Sequence, residues 1–434
     1  MAATEAAIAN SVAPAERRRD SGLALAGAWL LSSATVVSGV CAYSFHVLAA
    51  RLLGPSDYGL VAVLWAVMFT GVVVLFRPLE QTTMRTVADR ITRGEENRSV
   101  LRAVSSIYLA VTAAVAVATV IFWEPLRDRL FLGDSTFVLA LAIGIALYGI
   151  QYVVRGACAG VHWFGGYGQA LLGDGFVRLA VLLPVVFIAS RDLAAAACAA
   201  AAIGGFAVPL MTGKRHLKPL LRRGEGTHFH FGHALSFAGP AAAIAAADQI
   251  LVNGGPVLVV LGGGHDADRV AGLVFAATMI VRIPVFVFQG FAASMLPNLT
   301  KLQAQDPARV RHALGRALLL FLGASAVITA VVALIGPAAM QIVYGDEYAV
   351  GRLPLALLGI GVGGYLATAA LSQGLLALDR GVATAVVWCA SALVFLGLYV
   401  VSPGDELLRV SLGFAVATVV SFVGLAAVLL RRAR

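Results

Sequence analysis

The sequence predicts an all-α polytopic membrane protein of about twelve transmembrane helices. Three observations predict it. Sixty percent of the 434 residues are hydrophobic and 13% are charged, where a soluble domain carries about 25% charged. The charges are clustered, and the stretches between clusters approach the ~20 apolar residues a helix needs to cross the ~30 Å hydrocarbon core. The basic clusters also alternate along the chain. Backbone groups in lipid must be paired within their own segment, so apolar runs of this length are helices. No period-two pattern of barrel strands is present.

The spans fall at 24–50, 58–83, 103–123, 136–158, 169–189, 193–212, 234–260, 271–296, 314–338, 353–377, 383–401 and 407–430. Residues 1–20 end in Glu16-Arg17-Arg18-Arg19-Asp20. No small-residue cleavage site follows the first apolar run, which is too long for a signal peptide, so they read as a disordered cytoplasmic tail. The N-terminal lobe is then 21–212, the C-terminal lobe 234–430, and residues 431–434 a basic cytoplasmic tail. The basic stretch 213–233 links the lobes.

Of the 32 basic residues, 21 lie in the tails and one alternate set of loops, and seven lie in the other set. This bias puts both termini in the cytoplasm of a bacterial inner membrane and supports an even helix count. It also explains the net charge of +9 without nucleic acid as a partner. Cys41, Cys158, Cys198 and Cys389 sit in apolar segments without a CxxC pair and read as small buried hydrophobes.

The halves resemble each other. Residues 51–68 follow the first span and 260–279 the seventh; aligning Gly59 with Gly272 gives an offset of 213. Arg155–Gly160 and Gln373–Leu378 pair at 218. Both halves begin on the same side, so the repeat is parallel, with its axis along the membrane normal.

Motifs of soluble enzymes are missing: no GK[ST] phosphate loop, no GxSxG, no HExxH. His228, His230 and His233 have the wrong spacing for a helix-borne metal site, and no metal or other cofactor is expected. The glycines at 359, 361, 363 and 364 are expected to let helices approach closely.

The informative residues are the four arginines inside spans: Arg77, Arg155, Arg178 and Arg282. A charge at a helix centre costs about 2.5–3.5 kcal/mol on the insertion scale, so four facing lipid would cost roughly 10 kcal/mol. They must be paired, snorkel, or face an aqueous cavity. Arg77 and Arg155 lie near span ends. Arg178 has Asp174 one turn away, the spacing of an i,i+4 pair. Arg282 should share its depth with Asp248 on the antiparallel seventh span, which makes them a possible interhelical pair. Against Asp174 and Asp248, with Glu80 near an edge, the arginines leave a cationic interior. That suits an anionic substrate, phosphate or pyrophosphate above all, which arginine grips with a fork.

The segment ARLLGPSDYG at 50–59 resembles the signature of the polysaccharide-transporter family, a branch of the multidrug/oligosaccharidyl-lipid/polysaccharide exporter superfamily. GLVFAA from Gly272, Arg282-Ile283-Pro284, residues 344–361 and residues 155–172 fit the same family. The resemblance implies two parallel-repeat six-helix lobes around a central cavity, and a transporter that flips an undecaprenyl-pyrophosphate-linked oligosaccharide by alternating access and makes no bond. Arg282, Arg178, Arg77 and Arg155 would bind substrate, and Asp248 and Asp174 would serve as charge partners. The expected partners are the lipid-linked oligosaccharide, membrane lipid, and a polysaccharide polymerase and glycosyltransferases; the chain itself is expected to be a monomer. One departure stands out. Where family members commonly show Asn-x-Asp on the seventh span, this chain has Asn253-Gly254-Gly255-Pro256, and Pro256 should kink the helix. The rivals are a drug/cation antiporter of the same superfamily, a membrane-embedded glycan-assembly enzyme, which would need catalytic side chains in a sizeable loop, and a non-transporting scaffold.

Overall fold

A computed structural model describes residues 2–221, 231–283, 307–378 and 380–430. Among these, ten helices are long and apolar enough to cross a membrane. Helix α1 (Ala2–Thr92) contains two crossings. Gly54 breaks it with φ 74° and ψ 173°, a left-handed angle that suits glycine because it lacks a Cβ. The chain folds back there. In a straight helix His46 and Trp65 would stand about 28 Å apart at 1.5 Å per residue, yet their ring centroids are 5.2 Å apart. The helix begins at Ala2, ahead of the first span, where the sequence suggested a disordered tail.

Next come α2 (Arg98–Ile121), α3 (Ser135–Gly160), α4 (Phe164–Leu182) and α5 (Arg191–Thr212). The fifth span, expected at 169–189, is the crossing Phe164–Ile188. Within it α4 stops at Leu182 before Pro184, and a short turn, Val185–Ile188, completes the crossing; Pro184 has no N–H to continue the ladder. A 3-10 helix, Lys214–Leu221, starts the linker, and residues 222–230, which hold His228 and His230, lie outside the described residues.

The second half comprises α6 (Phe231–Gly262), α7 (Ala267–Val281), α8 (Pro307–Tyr344), α9 (Arg352–Ala377), α10 (Gly381–Val401) and α11 (Glu406–Leu430). Helix α7 is the start of the eighth span, whose remainder, Pro284 included, lies outside the described residues, as do residues 431–434. With both arms of α1 and with α7 counted, the crossings number twelve.

Packing divides the helices into two groups. The arms of α1 pack against α3 and α4, α4 against α5, and α3 against α5; α9 packs against α8 and α11, and α10 against α6 and α11. The groups meet where α1 touches α6, α7 and α8. At the centre of this contact the repeat becomes visible. A Cβ on Gly59 would run into the carbonyl of Asp268, and one on Gly272 into the carbonyl of Pro55. Both pairs are related by the offset of 213, so the contact is reciprocal, as at a two-fold axis.

The expected glycine packing is present in α9. Gly359 and Gly363 lie against Thr329 and Ser325 of α8, and Gly361 and Gly364 against Phe414 and Thr418 of α11. Large apolar side chains remain on the outside, among them Val40, Val120, Phe187, Leu334 and Val400, as a lipid-facing surface requires. Cys41, Cys158 and Cys198 are buried, but Cys389 is exposed. It shares the outward face of α10 with Val386 and Leu393, which corrects the expectation that all four are buried.

Candidate functional site

The four deep arginines divide into two kinds. Two are neutralised within the first lobe. Arg178 on α4 bonds Asp174 through Nη2 at 3.0 Å to Oδ2 and 3.1 Å to Oδ1, the i,i+4 pair read from the sequence. The same Nη2 donates to the Tyr148 hydroxyl at 2.7 Å, and Tyr148 donates to Asp174 Oδ1 at 2.8 Å. The guanidinium lies 4.3 Å from the centroid of Trp65. Arg178 is only 2% exposed, so this triad is enclosed.

Arg155 on α3 is also paired. Its Nη2 is 3.1 Å from Glu80 Oε1 and donates to the Tyr167 hydroxyl, which donates to Glu80 Oε1 at 2.7 Å. The rings of Tyr152 and Tyr167 flank it at 4.6 and 4.8 Å. The two clusters share one chemistry: arginine, carboxylate, and a tyrosine bridging both. A buried pair of this kind is tolerable only when further hydrogen bonds support it; in each cluster the tyrosine accepts one from the arginine Nη2 and donates one to the carboxylate, while both Nε atoms stay without a partner.

The other two arginines have no carboxylate within 4.0 Å among the described residues. Arg77, on the second arm of α1, is exposed. Arg282, at the C-cap of α7, is half-buried. The expected Asp248–Arg282 pair is not formed. Arg282 Nη2 instead donates to the Val252 carbonyl at 2.6 Å and to Asn253 Oδ1 at 3.2 Å. The cause is Pro256. In an α-helix the carbonyl of residue 252 accepts from the N–H of residue 256, and proline has none. Arg282 occupies the acceptor that Pro256 leaves open. Helix α6 continues on both sides of Pro256, from Phe231 to Gly262.

Asp248 is connected to Arg282 indirectly. Tyr365 donates to Asp248 Oδ1 at 2.8 Å and Gln249 Nε2 to Oδ2 at 2.9 Å; Asn253 Nδ2 donates to Gln249 Oε1 at 2.7 Å. The chain therefore runs Tyr365, Asp248, Gln249, Asn253, Arg282. Among the described residues, then, one arginine on each lobe has no carboxylate partner, and Asp248 is bonded to neutral side chains.

The sequence reading singled out the four arginines and the two aspartates. It did not single out Tyr148, Tyr167, Tyr365, Gln249 or the acceptor role of Val252. Polar side chains inside apolar spans were the available signal for the first four, and Pro256 was the signal for the last.

No protein-family model matches the chain. The uncharacterized protein Rv1510 of Mycobacterium tuberculosis is 28% identical over 363 residues, covering 82% of this chain and 78% of its own length. The uncharacterized protein Mb3654 of Mycobacterium bovis is 25% identical over 361 residues, covering 82% and 79%. Among solved structures, a multidrug resistance MATE family transporter of the MOP superfamily, inward-facing, matches with a TM-score of 0.72 at 14% identity, over 94% of this chain and 98% of that one. The lipid II flippase MurJ, inward closed, matches with a TM-score of 0.68 at 15% identity, over 92% and 87%. The chain has the fold of the MOP-superfamily transporters.

Proposed function

We propose that the protein is a transporter that flips an undecaprenyl-pyrophosphate-linked oligosaccharide across the bacterial inner membrane, as a member of the polysaccharide-transporter branch. The observation that carries this reading is the pair Arg77 and Arg282, one on each lobe and neither held by a carboxylate. Two guanidinium forks without a carboxylate partner would suit a pyrophosphate if the lobes bring them to one site. Asp248 stands in for the anion when the site is empty, and the substrate displaces it. Arg155 and Arg178 hold the first lobe rigid while the lobes alternate. Both termini face the cytoplasm, and the Gly54 turn faces the opposite side. The chain works as a monomer alongside glycosyltransferases and a polysaccharide polymerase.

The test is flipping of a fluorescent lipid-pyrophosphate oligosaccharide in proteoliposomes. Arg282→Lys keeps the charge and loses the fork. A lost charge-assisted hydrogen bond is worth about 1.5–3 kcal/mol, so transport should fall about ten- to a hundredfold at normal membrane abundance. Arg77→Lys should behave alike. Normal export by the double variant Asp248→Asn with Arg282→Gln would place the phosphate elsewhere.

A second reading, a drug/cation antiporter, is favoured by the buried Asp248 and by likeness to a multidrug transporter. It requires Asp248→Asn to abolish cation-coupled efflux while leaving lipid flipping irrelevant.

A further inference from the structure

His46 has no part in the phosphate site, yet it is fully buried where the lobes meet. The seal around it is built from both lobes. Gly59 packs on Gly272. Arg51 donates to the carbonyls of Ile342 and Val343 at the end of α8. The Tyr348 hydroxyl donates to the Ala50 carbonyl at 3.1 Å. Inside the seal, the His46 ring lies 4.9 Å from Phe275 of the second lobe, 5.0 Å from Phe45 and 5.2 Å from Trp65. Its Nδ1 is 3.3 Å from the Tyr58 hydroxyl. Its Nε2 is buried without a hydrogen-bond partner.

Neutral imidazole fits this box, because one ring nitrogen is then an acceptor and needs no donor to be tolerated. Imidazolium does not, because both nitrogens become donors and Nε2 has no acceptor. A neighbouring cation adds to this: the Arg178 guanidinium stands 4.3 Å from the centroid of Trp65, the ring that packs on His46, and Asp174 is already bonded to Arg178. The other titratable groups at the box are the Tyr58 hydroxyl, 3.3 Å from Nδ1, and, behind it, Tyr348, whose ring lies 6.2 Å from that of Tyr58, and Tyr344, 5.5 Å from Tyr348. No carboxylate among the described residues pairs with His46.

We infer that His46 is a proton-binding site that opens the seal on the Gly54 side: a proton is taken up at Nε2 only when the lobes part and water reaches it. Proton uptake by one conformation alone shifts the equilibrium toward that conformation. Acid therefore favours the form open at the Gly54 turn, and closure expels the proton. The inference rests on the reading that the lobes part during transport. It does not depend on which substrate is carried.

The test is the distance between spin labels on the exposed positions 56 and 269, introduced as Ser56→Cys and Arg269→Cys in the full chain with Cys389→Ala, in lipid nanodiscs without substrate. Between pH 8 and pH 5 the population should move from a short to a long distance with the steepness of one proton. His46→Gln should hold the short distance throughout. Tyr58→Phe removes the hydrogen bond between Tyr58 and His46 in the closed form, so its midpoint should move to higher pH. A parent protein with no shift, a His46→Gln protein that shifts like the parent, or an unmoved midpoint in Tyr58→Phe would each overturn the assignment. Should His46→Gln not fold, the Tyr58→Phe midpoint decides alone. Because no substrate is present, failure here leaves the phosphate reading intact, and failure of lipid flipping leaves this one intact.

Discussion

Pro256 and Arg282 form a pair that a double-mutant cycle can isolate. Arg282 donates at 2.6 Å to the Val252 carbonyl, the acceptor that Pro256 leaves without its helical donor. Replacing Arg282 by Gln removes a charge-assisted hydrogen bond and leaves a carbonyl in an apolar setting, a loss of about 1.5–3 kcal/mol. Pro256→Ala supplies an N–H at position 256, which can close the bond to Val252 within the helix. The carbonyl is then satisfied with or without Arg282. The cost of Arg282→Gln should accordingly shrink in the Pro256→Ala background, with a coupling of about 1–2 kcal/mol, within the range for residues in contact. The assay is thermal unfolding of the purified protein in one detergent, for the parent, both single variants and the double. Arg282→Gln should lower the apparent Tm, and the double variant should recover most of the loss. Equal losses in the two backgrounds would refute the idea that Pro256 prepares the acceptor. Pro256→Ala alone should retain lipid flipping, since Arg282 keeps its charge and loses only a competing partner.

Three further outcomes follow from the packing. Asp174→Asn strands Arg178 in a site where it is 2% exposed and should cost about 3–5 kcal/mol; removing both charges with Arg178→Gln should recover much of it, read as the yield of monodisperse protein. Gly59→Ala places a methyl against the Asp268 carbonyl, so the lobes should separate on the Gly54 side, and a cysteine at 269 should react faster with a soluble thiol reagent; an unchanged rate would mean the contact yields elsewhere. Single cysteines at Ser56 and Thr227 test topology in intact cells: an impermeant reagent should label position 56 and not 227, and the reverse pattern would invert the orientation.

Much of the fold was legible because hydropathy and charge alternation are long-range signals in lipid. The predicted spans at 136–158 and 353–377 differ by a few residues from Ser135–Gly160 and Arg352–Ala377. The Gly59–Gly272 alignment was also legible, since the same small residue is needed on both sides of a reciprocal contact. The partners of the arginines were less so. Asp174 and Arg178 sit on one helix, so spacing alone brought them together. Glu80 and Arg155 sit on different helices, and their tyrosine bridge, Tyr167, comes from a third. Depth alone suggested Asp248 for Arg282. It missed that a proline one turn past residue 252 creates a nearer acceptor.

The division of the arginines follows from what each lobe must do. A lobe that moves as a body cannot carry loose charges in its interior, because each would seek water or a partner during the motion. In the first lobe both enclosed arginines are tied to a carboxylate and a tyrosine, so these charges travel with it. At the boundary the balance differs. Among the described residues Arg282 bonds two neutral acceptors, a carbonyl and an amide oxygen, which on the proposed reading a dianionic phosphate would displace. Asp248 is held by a tyrosine and a glutamine, which steady it without cancelling its charge. A direct Asp248–Arg282 salt bridge would have to be broken before any anion could bind, at a cost comparable to what the anion returns. Routing the contact through Gln249 and Asn253 avoids that cost and leaves the guanidinium ready. Inserting the missing bridge should therefore weaken transport without unfolding the protein. Asn253→Asp, which puts a carboxylate where Arg282 already reaches 3.2 Å to Oδ1, is that experiment. It should raise the apparent Tm or leave it unchanged while slowing lipid flipping, and unimpaired flipping would show that Arg282 does not need to be free.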